Sequence, residues 1–97
     1  MATVITGFAD KNTEEFWRAG ESKRIPPPNL RRVALRKLVM IDDASDLRDL
    51  EVPPGNRLEA LRGDREGQHS IRINDQYRVC FVWRDGSAHD VEIVDYH

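Results

Sequence analysis

The chain holds one cysteine, Cys80, in 97 residues, and only three of its 15 basic residues are lysine. A single thiol excludes an internal disulfide framework and a cysteine-based zinc site. Long hydrophobic runs are missing too. The apolar stretches are pieces such as Leu38–Ile41, far below the roughly 20 residues that a membrane-spanning helix needs. The start, Met1 to Gly7, lacks the basic residues and apolar run of a secretion signal, so a cytoplasmic location without membrane contact is expected. No Ser-His-Asp arrangement, phosphate-binding glycine loop or metal-ligand spacing occurs, and no metal or other cofactor is expected.

What is present fits one small globular unit spanning residues 1–97. Hydrophobic residues make up 39% and charged residues 33%, so a small core must carry a heavily charged surface. Two Trp, three Phe and two Tyr, spread over both halves with many Val, Ile and Leu, argue against disorder. The net charge of -2 hides a segregated pattern. Seven basic residues between Arg18 and Lys37 face one acid, Glu21, whereas five acids between Asp42 and Glu51 face only Arg48. Six arginines lie between Arg57 and Arg84, and the stretch from Asp85 to His97 has four acids and no Lys or Arg. Arginine keeps its charge at any working pH and grips phosphate or carboxylate through two parallel N–H groups. The basic block can be a solvated face with ion pairs, or a contact for RNA or an acidic protein.

The first half reads as helical. After a short strand at Val4–Phe8, Asp10 or Asn12 can cap a helix anchored by Phe16 and Trp17 and ended at Gly20. Ile25-Pro26-Pro27-Pro28 forms a stiff connector, and Asn29 can cap a second helix. Leu30, Val33, Ala34, Leu38 and Ile41 make its apolar stripe, with Arg32 and Arg36 four apart on another face. Asp42 to Leu50 is irregular or loosely helical, and Val52–Asn56 is a turn.

After Asn56 the period becomes alternating. Arg57–Leu61, Gln68–Ile73, Tyr77–Arg84 and Asp90–Tyr96 read as strands, with turns at Gly63–Gly67, Asn74–Gln76 and Asp85–His89. The expected architecture is α+β: two N-terminal helices packed on one face of a mostly antiparallel sheet. Hydrophobic matching sets Ile71 opposite Val79 and Arg72 opposite Arg78; in the last hairpin it sets Phe81 opposite Ile93 and Arg78 opposite Tyr96. One face then carries Arg72, Arg78 and Tyr96, with His97 just beyond. Two arginines opposed across a ladder repel, and an anion between them gives a reason for the pair. Each residue also has an ordinary reading: Arg72 can pair with Glu92 or Glu59, Tyr96 can be an edge aromatic, and His97 a frayed terminus. His69 falls on the apolar side as a packed histidine, and Cys80 reads as a small buried hydrophobe.

Three ordered blocks carry a family resemblance. They are Asn56-Arg57-Leu58 with Leu61-Arg62-Gly63-Asp64-Arg65-Glu66-Gly67-Gln68-His69-Ser70-Ile71-Arg72-Ile73-Asn74; then Gln76-Tyr77-Arg78-Val79-Cys80-Phe81; and Val91-Glu92-Ile93-Val94-Asp95-Tyr96-His97. In these the chain resembles the HigB-type toxins, the plasmid-maintenance killer branch of the RelE/ParE superfamily. The resemblance implies a small ribonuclease that enters the ribosomal A site and cuts the mRNA under translation. It also implies a helix-turn-helix antitoxin of the HigA type, which blocks the toxin and binds operator DNA with the toxin as co-repressor. The family pattern places Arg62 at a basic position after the first block, Arg78 at the arginine after the aromatic, and Tyr96 and His97 at the terminal pair. Asp95 precedes that pair and can orient it. Relatives can carry a His near the position of Glu59; a carboxylate there repels phosphate or serves as base.

The implied chemistry uses the ribose 2′-OH as nucleophile and leaves a 2′,3′-cyclic phosphate and a free 5′-OH, with no metal. Arg78 and Arg62 suit the phosphoryl charge, Tyr96 suits positioning, stacking or help with proton transfer, and His97 suits proton transfer. Arg57, Arg65 and Arg72 are the expected RNA-holding residues. Two competing classes remain: a ParE-like gyrase inhibitor, against which the Asp95-Tyr96-His97 ending speaks, and a non-catalytic module that only docks its antitoxin.

Overall fold

The computed structural model describes residues 4–21 and 24–96. Its elements are helix α1 (Lys11–Ala19), helix α2 (Arg31–Asp43) and strands β1 (Glu59–Ala60), β2 (His69–Arg72), β3 (Tyr77–Arg84) and β4 (Ser87–Asp95). Short 3-10 turns at Pro28–Leu30, Leu47–Glu51, Pro54–Asn56 and Gly63–Arg65 link them. The strands form one antiparallel sheet in the order β1-β2-β3-β4. The class is α+β, as the change of period after Asn56 predicts.

Local chemistry explains both helices. Asp10 caps α1 by accepting from the Thr13 N–H at 3.1 Å, and Gly20, at φ 76°, ends it by donating to the Phe16 carbonyl. Thr13 is fully buried, and its hydroxyl accepts from the Ile93 N–H at 3.1 Å, which ties α1 to β4. Asn29 does not cap α2. The proline-led turn Pro28–Leu30 runs straight into the helix, so Leu30 holds the cap position without a side-chain bond. At the other end of α2, Asp42 stands where the helix dipole disfavours an acid. Its carboxylate is used instead to accept from the Val4 and Ile5 N–H groups, both at 3.0 Å.

That contact bears on the expected first strand. The backbone of residues 4–8 pairs with β4 through two isolated parallel bridges, Ile5 to Ala88 and Phe8 to Val91, rather than as a continuous strand. The two bridges are three residues apart on both segments, a spacing that straight pleating does not allow. A bulge in β4 resolves it. Asp90 has φ 51°, and the register against β3 shifts between Cys80 and Val82. Ala88 and Val91 can then both point inward, and both are fully buried.

The bulge also corrects the expected β3–β4 register. The connecting turn is only Asp85-Gly86, with φ 54° and 75°, so Arg84 pairs with Ser87, and residues 87–89, assigned to the turn from sequence, belong to β4. Ile93 lies opposite Val79 rather than Phe81, and Arg78 lies opposite Val94 rather than Tyr96. From Tyr77 to Cys80 the slip is two residues, which preserves the side of the sheet on which each residue lies; beyond the bulge it is three, with Trp83 opposite Ala88. In the β2–β3 hairpin Arg72 does pair with Arg78, and Ile71 with Val79. The candidate strand Arg57–Leu61 is reduced to the two residues of β1, because the turn ending in Arg57 and the turn beginning at Gly63 take its ends.

One side of the sheet builds the core. Ile71, Val79, Phe81, Val91 and Ile93 cluster with Phe16 from α1 and Ala34, Leu38 and Ile41 from α2. His69 lies opposite Phe81, and its ring stacks on the phenyl at 6.4 Å between centroids, as a packed histidine should. The other side is polar, and Ser70 and Cys80 are its buried floor. Burial pushes the Cys80 thiol pKa up, which keeps it protonated and inert.

Candidate nucleic-acid cleft

The polar side of the sheet is ordered in rows. Glu59, Ser70, Cys80 and Glu92 form one row across β1 to β4, and Arg72, Arg78 and Val94 form the next. Tyr96 follows β4 at the same edge. These rows open into a cleft of about 350 Å³ lined by Arg57, Glu59, Arg72, Asn74, Asp75, Arg78 and Tyr96. The cleft is large enough for a nucleotide-sized group, and the three guanidinium groups in its wall make it a site for an anion.

Arg78 is the centre. Its side chain is only 12% exposed. Its Nε donates to the Ser70 hydroxyl at 2.8 Å and its Nη2 to the Arg57 carbonyl at 2.6 Å. Nη1 lies 3.6 Å from a Glu59 carboxylate oxygen, an ion pair longer than a hydrogen bond. The Tyr96 ring stands under the guanidinium carbon at 5.7 Å, one residue pair further along than the expected register but on the same side. The Arg72–Arg78 repulsion is relieved by splaying. Arg78 leans toward β1, and Arg72 leans the other way onto Asp75, with which it forms a salt bridge. Asp75, rather than Glu92 or Glu59, is therefore the acid on Arg72. Both acids at the cleft are solvent-facing, Glu59 at 53% and Asp75 at 94% side-chain exposure, so their hold on the cations is weak.

Five of the candidate residues thus share the cleft: Arg57, Glu59, Arg72, Arg78 and Tyr96. Arg62 is exposed at the entry to the Gly63–Arg65 turn and does not line it. Arg65 lies beside it on the same side of the sheet, bound to Glu92 at 3.0 Å and to Gln68 at 3.1 Å. Its hydrogen bond to the Glu92 carboxylate raises its pKa and keeps it fully charged. Asp95 accepts from the Gln76 amide at 3.1 Å, which fixes the end of β4. His97 lies outside the described residues. Ser70, Asn74 and Asp75 were missed from sequence. Ser70 stands opposite both Glu59 and Cys80 and is readable only once strand pairing is known; Asp75 had a signal, an acid three residues beyond Arg72 in the same turn.

Two described members of the basic block of the first half are not free surface charge. Arg18 pairs with Glu14 at 3.2 Å, and Lys37 is buried, whereas Arg32 and Arg36 are exposed on α2. Among the described residues no group of three or more metal-ligating side chains comes together, and no helix is long and apolar enough to cross a membrane.

Residues 6–97 match the family model for the RelE-like toxin of type II toxin–antitoxin system HigB. The chain belongs to the HigB-type toxins of the RelE superfamily. Among curated relatives of this HigB-type chain is Toxin HigB-1 of Vibrio cholerae, 43% identical over 81 residues, covering 84% of this chain and 85% of that protein. Endoribonuclease HigB of Proteus vulgaris is 30% identical over 94 residues, covering 97% of this chain and all of that protein. A chain of the YoeB–YefM complex from Staphylococcus aureus shares the fold, with a TM-score of 0.57 at 16% identity over 100% of this chain.

Proposed function

We propose that this HigB-type chain is a ribosome-dependent endoribonuclease that cuts mRNA and is neutralised by a HigA-type helix-turn-helix antitoxin. The observation that carries the reading is the clamped Arg78 in an open cleft with two further arginines and a tyrosine. The 30% identical relative from Proteus vulgaris, named an endoribonuclease, supports the same chemistry.

In this reading the scissile phosphate enters the cleft against the Arg78 Nη1 edge and displaces Glu59. The 2′-oxygen forms a bond to phosphorus as the bond to the 5′-oxygen breaks. The 2′-OH proton leaves and another goes to the departing 5′-oxygen, giving a cyclic phosphate and a free 5′-OH. Arg78 carries the charge that builds on the phosphoryl oxygens, and its preset orientation spares reorganisation at that moment. Arg57 and Arg72, which line the cleft, take the second-cation role that the resemblance gave to Arg62; Arg62 and Arg65 contact RNA outside it. Tyr96 positions or stacks the base, Asp95 orients the terminal pair, and His97 moves a proton. No step calls for a metal.

The test is purified chain added to ribosomes programmed with a defined mRNA, for the natural sequence and for His97→Gln. Cleavage by the natural chain on ribosomes, absent on naked RNA and slowed in His97→Gln, is the expected result. DNA breaks in induced cells without mRNA cuts point to gyrase poisoning instead, and antitoxin binding without any cutting leaves a docking module.

Glu59 gives an independent check on the electrostatics. Its charge offsets that of Arg78, so Glu59→Gln strengthens binding of a phosphate in the cleft whatever Glu59 does in the chemical step. An mRNA with a 2′-deoxy sugar at the cut site, which cannot be cleaved, is expected to bind the variant about 2–5-fold more tightly, the range for losing one exposed charge interaction. Weaker binding would show that phosphate does not approach Arg78 from the Glu59 side.

A further inference from the structure

Arg78 is held before any ligand arrives, and the residues that hold it are not those that the resemblance singles out. Ser70 is fully buried on β2, and its hydroxyl accepts from the Arg78 Nε at 2.8 Å. The second anchor is a main-chain oxygen. Arg57 is a non-glycine residue in the left-handed region, φ 46° and ψ 55°, and this turns its carbonyl onto the Arg78 Nη2 at 2.6 Å. Its conformation is braced from behind by Asn56. That amide, fully buried, donates to the carbonyls of Leu50 at 3.2 Å and Val52 at 3.4 Å and accepts from the Lys37 ammonium of α2.

We propose that Ser70 and the Asn56-braced carbonyl of Arg57 form a clamp that aims the Nη1 edge of Arg78 into the cleft, with Ser70 and Asn56 as positioning residues for phosphate. The geometry follows from counting donors. A guanidinium has five N–H groups; Ser70 takes the one on Nε and the Arg57 carbonyl takes one on Nη2. These two fix the plane of the group on its floor side. Of the N–H groups left over, those on Nη1 lie where, among the described residues, the acid that approaches is the exposed Glu59 carboxylate. A free arginine has several rotatable bonds to order when it meets phosphate, and the clamp orders them during folding. Lysine cannot replace it, because one ammonium does not reach two fixed acceptors and a ligand in one plane.

The clamp stands on geometry alone; its catalytic consequence rests on the nuclease reading, and two measurements keep these apart. The first is the nitrogen-15 NMR signal of the Arg78 Nε–H, assigned by its loss in Arg78→Lys. The expected signal is resolved and slow to exchange. In Ser70→Ala its exchange is at least about tenfold faster, Ser70→Thr restores it by keeping the oxygen, and Arg57→Gly leaves it in place because the carbonyl and the left-handed turn survive. A signal unchanged in Ser70→Ala overturns the Ser70 anchor, and a signal lost in Arg57→Gly overturns the carbonyl anchor.

The second measurement is single-turnover cleavage on programmed ribosomes. Ser70→Ala is expected to slow cleavage about tenfold with little change in KM, as fits one hydrogen bond to a charged group. In an Arg78→Lys background the same substitution is expected to cost less than about twofold, because the group it positions is gone. Equal losses in both backgrounds mean that Ser70 acts through the fold only, and overturn the proposal. A natural chain that does not cleave ends the nuclease reading, and the NMR arm then decides the clamp by itself.

Discussion

Arg78→Ala lowers mRNA cleavage by about 10²–10³-fold, the cost typical of removing one preset donor from a site that stabilises developing negative charge. The loss falls on the rate at saturating ribosome complex rather than on KM, because the clamp presents Arg78 to the phosphate most fully as charge builds. Arg78→Lys recovers little, since an ammonium restores the charge without the fork. The protein stays folded. Removal of Arg78 leaves the buried Ser70 hydroxyl and the Arg57 carbonyl at the cleft wall without their donor; the truncated side chain lets water from the cleft replace it, and the expected cost is about 1 kcal/mol. Circular dichroism and urea unfolding verify the fold, and programmed-ribosome cleavage reads the rate. A folded Arg78→Ala chain that cuts at the natural rate removes Arg78 from the chemistry and, with it, the central assignment of the cleft.

Much of this site was legible before the structure because face assignment needs only parity. The alternation in Tyr77–Arg84 separates Val79 and Phe81 from Arg78 and Cys80 whatever the pairing, and the matching of Ile71 with Val79 carries Arg72 to Arg78. The β3–β4 register was not legible to the same depth. The Asp90 bulge and the two-residue Asp85-Gly86 turn are backbone events, and hydrophobic matching tolerates a slip of two because it preserves the face. Tyr96 therefore came to the right side at the wrong row. Residues whose work is done by main-chain atoms or by acceptors on a neighbouring strand left no periodic trace: the Arg57 carbonyl and Ser70 are of this kind. Lys37 shows the opposite failure. In a run of seven basic residues it looks like surface charge, yet it lies on the inner side of α2 beside Leu38, only 6% exposed.

That burial makes Asn56 the most sensitive polar residue for stability. Asn56→Ala is expected to cost about 2–4 kcal/mol, a large part of what a small domain has. Four contacts end at once, the weakest of them from the Asn56 amide to the Met40 sulfur at 3.7 Å. The Lys37 ammonium loses the Asn56 oxygen at 2.5 Å, and the Leu50 and Val52 carbonyls lose their donor. An ammonium left buried without a partner is the largest contribution. Burial, aided by the neighbouring Arg36, already lowers the Lys37 pKa from its ordinary 10.5. Between the lowered folded value and 10.5 the unfolded chain binds more protons, so this group makes stability rise with pH across that window. Lys37→Met cannot titrate there and removes that rise. It also separates the two halves of the cost. In an Asn56→Ala background, Lys37→Met takes away the stranded charge and is expected to restore about 1–2 kcal/mol, whereas in the natural background it strands the Asn56 oxygen and destabilises. Urea unfolding of the four proteins measures the coupling. If the two losses simply add, Lys37 and Asn56 are not partners in solution, and the Val52–Arg57 turn must be held by the Leu50 and Val52 carbonyl bonds without help from α2.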